Sequence, residues 1–180
     1  MSKRIGIFLS SHESLPASFG EAAESVGRWM GRNGHTLVYG GSSKGLMETL
    51  AQSTRQNGGR VIGVVPQILT EQGDVSDALN VTFHCADLND RKAIMMRESD
   101  LFIALPGGIG TLDEIFTVLA ADTIGLCNKH IILYNTDGCW TPALALLDHL
   151  RQQGLVSSAA LAYLHTATTT EELDALCSRL

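Results

Sequence analysis

Several residue types and patterns are scarce or missing in this sequence. Among its 180 residues, 13 Lys and Arg face 19 Asp and Glu, which leaves a net charge of −6. Because binding to a nucleic-acid backbone requires a basic surface, this balance argues against a polynucleotide partner. No apolar run approaches the length of a membrane span, and the stretch before Ser10 is too short for a signal peptide. The sequence therefore predicts a cytoplasmic protein that binds neither nucleic acid nor membrane.

Familiar metal and cofactor motifs are also missing. The four cysteines, at positions 85, 127, 139 and 177, form no Cys-x-x-Cys pair, and the six histidines form no His-Glu-x-x-His. These spacings predict reduced thiols and no metal site. No Gly-x-Gly-x-x-Gly follows the first apolar run, and no Gly-x-x-x-x-Gly-Lys-Ser/Thr loop occurs. Since those loops hold dinucleotides and nucleoside triphosphates, we expect a mononucleotide ligand and no cofactor.

The residues that are present predict one domain over residues 1–180, in which strands and helices alternate. Strands are predicted at 4–9, 36–39, 61–65, 80–85, 101–105 and 130–135. Helices are predicted at 17–33, 46–56, 87–98, 111–125, 140–153 and 170–180, with a mixed connection at 67–79 and a short helix and extended piece near 159. This order predicts an α/β fold, a Rossmann-like, doubly wound, mostly parallel sheet with helices on both faces.

The stretch from Leu101 to Glu114 combines a buried strand with a turn that suits an anion. An apolar run, 101–105, is broken by Pro106, and the glycines at 107, 108 and 110 follow. Glycines let the backbone turn tightly and approach a ligand closely. Thr111 is predicted to cap the next helix, whose free N–H groups would then face a bound phosphate.

Two further turns of small residues follow predicted strands, at Ser10–Ser11 and at 40–43. In a doubly wound sheet, ligands bind beyond the carboxyl ends of the strands, near the switch in strand order. We therefore expect all three turns to converge on one crevice. The predicted phosphate-binding residues in these turns are Ser11, Gly41, Gly107, Gly108, Gly110 and Thr111.

These residues also resemble a known family. The run 106–114 matches the Pro-Gly-Gly-x-Gly-Thr-x-x-Glu motif of the Lonely Guy (LOG) proteins, and 90–95 resembles their Arg-Lys-x-x-Met element. Tyr39-Gly40-Gly41, Gly45-Leu46-Met47, the run 61–66 and the run 135–138 resemble further family blocks in the same order. The family comprises cytokinin riboside 5′-monophosphate phosphoribohydrolases and is often labelled "lysine decarboxylase".

This resemblance implies hydrolysis of the N-glycosidic bond of a nucleoside 5′-monophosphate, with Arg91 and Glu114 as paired catalytic residues and Lys92 at the substrate. It also implies a homodimer. A carboxylate suits the cation-like ribosyl transition state, whereas arginine is too basic to act as a general acid and is better suited to clamp phosphate or ribose. The sequence departs from the family pattern at Leu88-Asn89, Thr117 and Ala121. Cytokinin preference therefore stays open beside AMP or another purine monophosphate.

Other interpretations of the same residues stay open. Thr111 and Glu114 also have the spacing of a capping box, in which Glu114 only bonds the start of its helix. Arg91 and Lys92 also fit a solvated helix face. A non-catalytic carrier of a nucleotide or of molybdenum cofactor would use the same sheet and loop. A pyridoxal-phosphate decarboxylase would need a Schiff-base lysine with an acidic partner, and no stretch is arranged for that.

Overall fold

The structure, a computed structural model, describes residues 2–180. Its strands are β1 Arg4–Phe8, β2 Thr36–Tyr39, β3 Arg60–Pro66, β4 Val81–Cys85, β5 Leu101–Ala104, β6 Ile131–Tyr134 and β7 Leu164–Ala167. Its helices are α1 Ala17–Arg32, α2 Gly45–Gln56, α3 Gln67–Gln72, α4 Leu88–Glu98, α5 Ile109–Thr123, α6 Thr141–Gln152, α7 Ser158–Leu161 and α8 Thr170–Arg179. No helix in this part of the chain is long and apolar enough to cross a bilayer.

The seven strands form one parallel sheet in the order β4-β3-β2-β1-β5-β6-β7. The chain builds outward from β1 to β4 and then returns to place β5 on the other side of β1. The strand order therefore reverses between β1 and β5, which is the place where such sheets bind ligands. The predicted Rossmann-like, doubly wound α/β fold is confirmed.

Two apolar cores lie on opposite faces of the sheet. Helices α1, α2 and α8 cover one face, and α4, α5 and α6 cover the other. Neighbouring strand residues divide between the cores: Ile103 faces the first, whereas Phe102 and Ala104 face the second. This is why the strands are continuous apolar runs, since both of their faces are buried.

The predicted boundaries differ from the observed ones at two places near the sheet's carboxyl end. Within the mixed connection at 67–79, residues Gln67–Gln72 form α3. Helix α5 begins at Ile109, two residues before the predicted start. The glycines of this turn therefore belong partly to the helix itself, which brings its N-terminus closer to the end of β5.

Helix α4 is fixed at both ends by side chains. At its start, the Asp87 carboxylate accepts hydrogen bonds from the backbone N–H groups of Asn89 and Asp90. At its end, the Lys129 ammonium binds the carbonyl oxygens of Met96 and Ser99. A cation at the last carbonyls also favours the helix dipole. The C-terminal end of α4 is therefore held against the segment that precedes β6.

The buried indole of Trp140 supports the end of β5. Its Nε1 donates to the carbonyl oxygen of Ala104, the last residue of that strand, at 3.0 Å. Replacement by phenylalanine leaves this carbonyl buried without its donor. We expect Trp140→Phe to lower the free energy of unfolding by about 1–3 kcal/mol, measured as a lower urea midpoint at an unchanged m value.

The matched control is Trp29→Phe, because Trp29 Nε1 donates to an exposed residue, Asp174, at 3.1 Å. Both substitutions shrink a buried ring, but water can replace the donor to Asp174, so Trp29→Phe should lose about 1 kcal/mol less than Trp140→Phe. Equal losses in the two variants would contradict a special role for the bond to β5.

Candidate active site

A cleft of about 430 Å³ lies beyond the carboxyl ends of β1 and β5. The loop after β1, the glycine turn after β5, and residues of α2 and α4 all contribute to it. Its lining residues are Leu9, Ser10, Ser11, His12, Met47, Leu88, Arg91, Gly108, Ile109, Gly110, Thr111 and Glu114. The cleft thus occupies the switch in strand order and combines an apolar wall with one arginine and one glutamate.

The loops after β1 and β5 are bonded to each other, which fixes the floor of the cleft. The backbone N–H of Ser10 donates to the carbonyl of Pro106 at 3.1 Å, and that of Leu105 donates to the carbonyl of Phe8 at 3.0 Å. The Ser10 hydroxyl in turn accepts from the N–H of His12 at 3.1 Å. The predicted convergence of Ser11 with the glycine turn is therefore present in the structure.

The N-terminus of α5 opens into this cleft. Gly108 is the N-cap, and the first N–H to reach back to it within the helix belongs to Leu112, at 3.0 Å. The N–H groups of residues 109–111 have no acceptor within the helix. A Cβ placed on Gly108 or Gly110 would meet no atom within 4 Å, so the space beside these backbones is open. Free N–H groups and open space together suit an anion.

The predicted cap is wrong: Thr111 is the third helical residue, and Gly108 occupies the N-cap position without a side-chain bond. Glu114 consequently lies in the second turn of α5 rather than the first. Within residues 2–180 its carboxylate accepts no hydrogen bond from Thr111, which excludes the capping box. The reason is that Ile109 and Gly110 already take up helical conformation before Thr111.

Arg91 and Glu114 face each other inside the cleft. Arg91 Nη2 lies 3.6 Å from Glu114 Oε1, and the two side chains are only 13% and 10% exposed. Among the described residues, Arg91 Nε is buried and bonded to nothing. An ion pair this buried normally needs further hydrogen bonds to offset the loss of water. The pair therefore presents charged groups with unused bonding capacity to whatever enters the cleft.

Burial changes the proton affinity of this glutamate. Loss of water around the carboxylate raises the pKa of Glu114 to about 7, an increase that the nearby Arg91 charge opposes. Asp113 raises this pKa as well, and Lys92 lowers it. A carboxyl group with a pKa near neutrality is matched to proton transfer at physiological pH.

The other predicted site residues divide into two groups. Ser11, Gly108, Gly110 and Thr111 line the cleft together with the ion pair. Gly107 lies behind Thr111, whose Cβ would be 2.6 Å from a Cβ on that glycine.

Lys92 and Gly41 lie outside the lining. The Lys92 ammonium binds both carboxylate oxygens of Asp113 at 2.9 and 2.8 Å. Gly41, with φ of +76°, turns the chain against Val65. Their substrate contacts stay predictions.

Sequence reasoning missed the apolar wall of the cleft. Leu9, Met47, Leu88 and Ile109 were not predicted as site residues, although each follows a strand or starts a helix at the carboxyl edge. Their position next to the carboxyl ends of the strands was the sequence signal that could have identified them. No cluster of three potential metal ligands occurs among residues 2–180.

A larger cavity, of about 530 Å³, opens at the opposite end of the sheet. It lies beside Lys3 and His35, which directly precede β1 and β2, and beside Asp174 and Arg179 of α8. Ligands of such sheets bind at the carboxyl edge, and this cavity is not bordered by the glycine turn. The smaller cleft is therefore the candidate active site.

The chain is similar to several known proteins. A family model described as "Possible lysine decarboxylase" matches residues 47–176. Cytokinin riboside 5′-monophosphate phosphoribohydrolase LOG4 of Arabidopsis thaliana is 36% identical over 170 residues, which are 94% of this chain and 79% of that protein. The cytokinin riboside 5′-monophosphate phosphoribohydrolase of Rhodococcoides fascians is 36% identical over 158 residues, 87% of this chain and 80% of that protein.

Among solved structures, the molybdenum cofactor carrier protein MCP of Chlamydomonas reinhardtii superposes with a TM-score of 0.76. It is 22% identical, and the match covers 99% of this chain and 98% of that one. At that identity the likeness concerns the fold alone.

The sheet and the position of its cleft define a Rossmann-like α/β protein with a charged pair at the switch in strand order. The family model and the curated relatives make the assignment more specific. The chain belongs to the LOG family of phosphoribohydrolase enzymes.

The raised pKa of Glu114 predicts a pH-dependent cost of burying its charge. The folded protein binds the proton of Glu114 more tightly than the unfolded chain does. Protonation of Glu114 therefore stabilises the fold in full below pH 4.5, and this stabilisation is lost as the pH rises through about 7. Glu114→Gln removes this titration. Relative to wild type without ligand, we expect the variant to gain on the order of 3 kcal/mol between pH 4.5 and 8, measured as melting temperatures across that range.

Glu21→Gln, which replaces an exposed glutamate on α1, is the control and should parallel wild type at every pH. A Glu114→Gln curve that also parallels wild type would contradict the raised pKa.

Proposed function

We propose that this chain hydrolyses the N-glycosidic bond of a cytokinin riboside 5′-monophosphate and releases the free base and ribose 5-phosphate. The observation that carries the proposal is the buried Arg91–Glu114 pair, 3.6 Å apart, beside the open N-terminus of α5. The names of the curated relatives supply the substrate class.

In this proposal the 5′-phosphate binds at the N-terminus of α5. Backbone N–H groups of residues 109–111 and the helix dipole favour the anion there. The Ser11 hydroxyl lies on the facing wall of the cleft. Lys92 lies outside the lining and is paired with Asp113, so a contact with the phosphate would require it to leave that carboxylate. Because the phosphate is remote from the bond that breaks, its binding energy can fix the ribose in register.

Glu114 is the general base in this scheme. Helical side chains lean toward the N-terminus of their helix, so its carboxylate leans toward the sugar of a substrate whose phosphate sits at the start of α5. As the C1′–N bond breaks, its electron pair leaves with the base, and the ribosyl group gains positive charge that the carboxylate stabilises. Water adds to C1′ and passes one proton to Glu114, which then delivers it to the departing base, so that neutral base leaves and the carboxylate is restored.

Arg91 has a separate role because a guanidinium does not release its proton. Its guanidinium, which lines the cleft with Nη2 3.6 Å from Glu114, offers N–H donors to the ribose, the phosphate or the departing base. No second carboxylate lines the cleft within residues 2–180. The negative charge that develops on the leaving base is therefore balanced by the arginine.

The substrate range follows from the apolar wall. Leu9, Met47 and Leu88 give the cleft a surface that suits a purine and an apolar substituent on it. We accordingly include AMP as a second substrate of the same reaction. The decarboxylase label is not favoured, because no lysine lines the cleft in the described part of the chain.

The deciding measurement is the release of free base from isopentenyladenosine monophosphate and from AMP, followed by chromatography. We expect release by wild type. Removal of the general base in Glu114→Gln should lower kcat by about 10²–10⁴-fold. Arg91→Ala should lower it by about 10²-fold or more. The kcat/KM of wild type, which reports the ligand-free enzyme, should rise with pH up to about 7 and then level, because the active form is the carboxylate.

Arg97→Ala is the control for the arginine, since Arg97 is exposed on the same helix and lies outside the cleft. Its rate should equal that of wild type. Tight binding of nucleotide without release of base would instead support a non-catalytic carrier.

We also propose a homodimer. Leu88 and Ile109, at the rim of the cleft, are 60% and 83% exposed, and Phe116 on α5 is 37% exposed. Leu88 and Ile109 start the adjacent helices α4 and α5, and Phe116 lies within α5. A second copy of the same surface would cover these apolar side chains.

Light scattering should give about twice the chain mass of 19.3 kDa. Phe116→Glu should shift the protein toward the monomer, because it places a charge in the apolar contact. Leu155→Glu, on an exposed leucine outside α4 and α5, is the matched control and should stay dimeric. A wild type of single-chain mass would contradict the dimer.

A further inference from the structure

The guanidinium of Arg91 occupies space that exists only because residue 40 is glycine. Gly40 directly follows β2. A Cβ placed on it would overlap Nη2 of Arg91 and lie 2.7 Å from Cζ. Non-bonded carbon atoms pack at about 3.5–4.0 Å. The three atoms nearest to that Cβ all belong to the Arg91 side chain.

The backbone of Gly40 does not itself require glycine. Its φ is not among the positive values, whereas that of the next residue, Gly41, is +76°. An alanine at position 40 would therefore conflict with Arg91 without straining the main chain. The atoms it would meet are at the end of a flexible side chain that α4 carries. The guanidinium can therefore move aside, and the fold can persist.

We propose that Gly40 is a positioning residue for the reaction: its missing side chain lets the Arg91 guanidinium lie beside Glu114, and any larger residue displaces it. The kinetic part of this inference rests on the proposed function. The structural part, the placement of the guanidinium, stands on the contacts alone.

Displacement of the guanidinium has a consequence for Glu114 that needs no substrate. Four influences set the proton affinity of that carboxyl: burial and Asp113 raise its pKa, and Arg91 and Lys92 lower it. Asp113 and Lys92 are bonded to each other away from Gly40. Removal of the Arg91 charge alone should therefore raise the pKa of Glu114 further.

The kinetic experiment compares Gly40→Ala with Gly20→Ala, Arg91→Ala and the double variant Gly40→Ala/Arg91→Ala. Gly20 lies on α1, and a Cβ there would meet nothing within 4 Å. We expect kcat/KM to fall at least about tenfold in Gly40→Ala and to stay within about twofold of wild type in Gly20→Ala. In the Arg91→Ala background, Gly40→Ala should change the rate less than about twofold, because the side chain it displaces is gone.

The second measurement is the carboxyl titration of Glu114, followed by NMR on protein labelled at glutamate. The titration midpoint should move to higher pH in Gly40→Ala and by a similar amount in Arg91→Ala. The double variant should match Arg91→Ala. Because this experiment uses no substrate, it still tests the role of Gly40 if wild type releases no base and the proposed function fails.

Several results would overturn the inference. One is a Gly40→Ala protein with the titration midpoint of wild type. Another is equal loss of rate from Gly40→Ala with and without Arg91. If Gly40→Ala alone does not fold, the double variant should fold like Arg91→Ala, since its cavity accepts the new methyl group. An unfolded double variant would show that glycine is needed there for a reason other than Arg91.

Discussion

The burial of one carboxylate beside one guanidinium is the constraint on which the site depends. Taking both charges out of water costs several kcal/mol per ion, and their mutual attraction offsets this cost only in part when further hydrogen bonds are missing. Glu114 reflects this imbalance in its pKa of about 7. Such a pair is a poor stabiliser of the fold, and in the proposed function the phosphate and hydroxyl groups of the ligand supply its missing bonding partners.

The sheet explains how this pair comes to lie at one point. Arg91 is carried by α4 and Glu114 by α5, which flank β5 in the chain and cover the same face of the sheet. The strand order reverses between β1 and β5, so no crossover helix closes the gap above their carboxyl ends. The bonds between the loops after β1 and β5 then hold the glycine turn at that gap. The strand order creates the gap, and the absence of side chains at Gly108 and Gly110 leaves it open.

Much of this arrangement could be predicted from the sequence because its signals are local. Apolar runs ended by glycine or proline gave the strands, and the glycine turn with its glutamate indicated the site. The start of α5 could not be predicted, because Gly108 and Gly110 carry no side chain that distinguishes a helical turn from a loop. The pairing of Arg91 with Glu114 was implied only by the family resemblance, and the pairing of Lys92 with Asp113 was not predicted at all. They depend on which side of α4 faces α5, and adjacent helical residues point about 100° apart.

Two adjacent charge pairs join α4 and α5, and they differ in whether the charges are hydrogen-bonded to each other. The outer pair, Lys92 with Asp113, is fully bonded at 2.8–2.9 Å, and its aspartate is 51% exposed. A pair of that kind contributes little stability, but it joins the two helices at one register. The inner pair consists of Arg91, one residue before Lys92 on α4, and Glu114, one residue after Asp113 on α5. Their charged atoms are 3.6 Å apart, which is beyond hydrogen-bonding distance. If the outer pair fixes the separation of the helices, the inner charges can stay close and still unbonded. The proposed catalytic role requires that condition, since the bonds of such a pair are needed by the substrate and not by the fold.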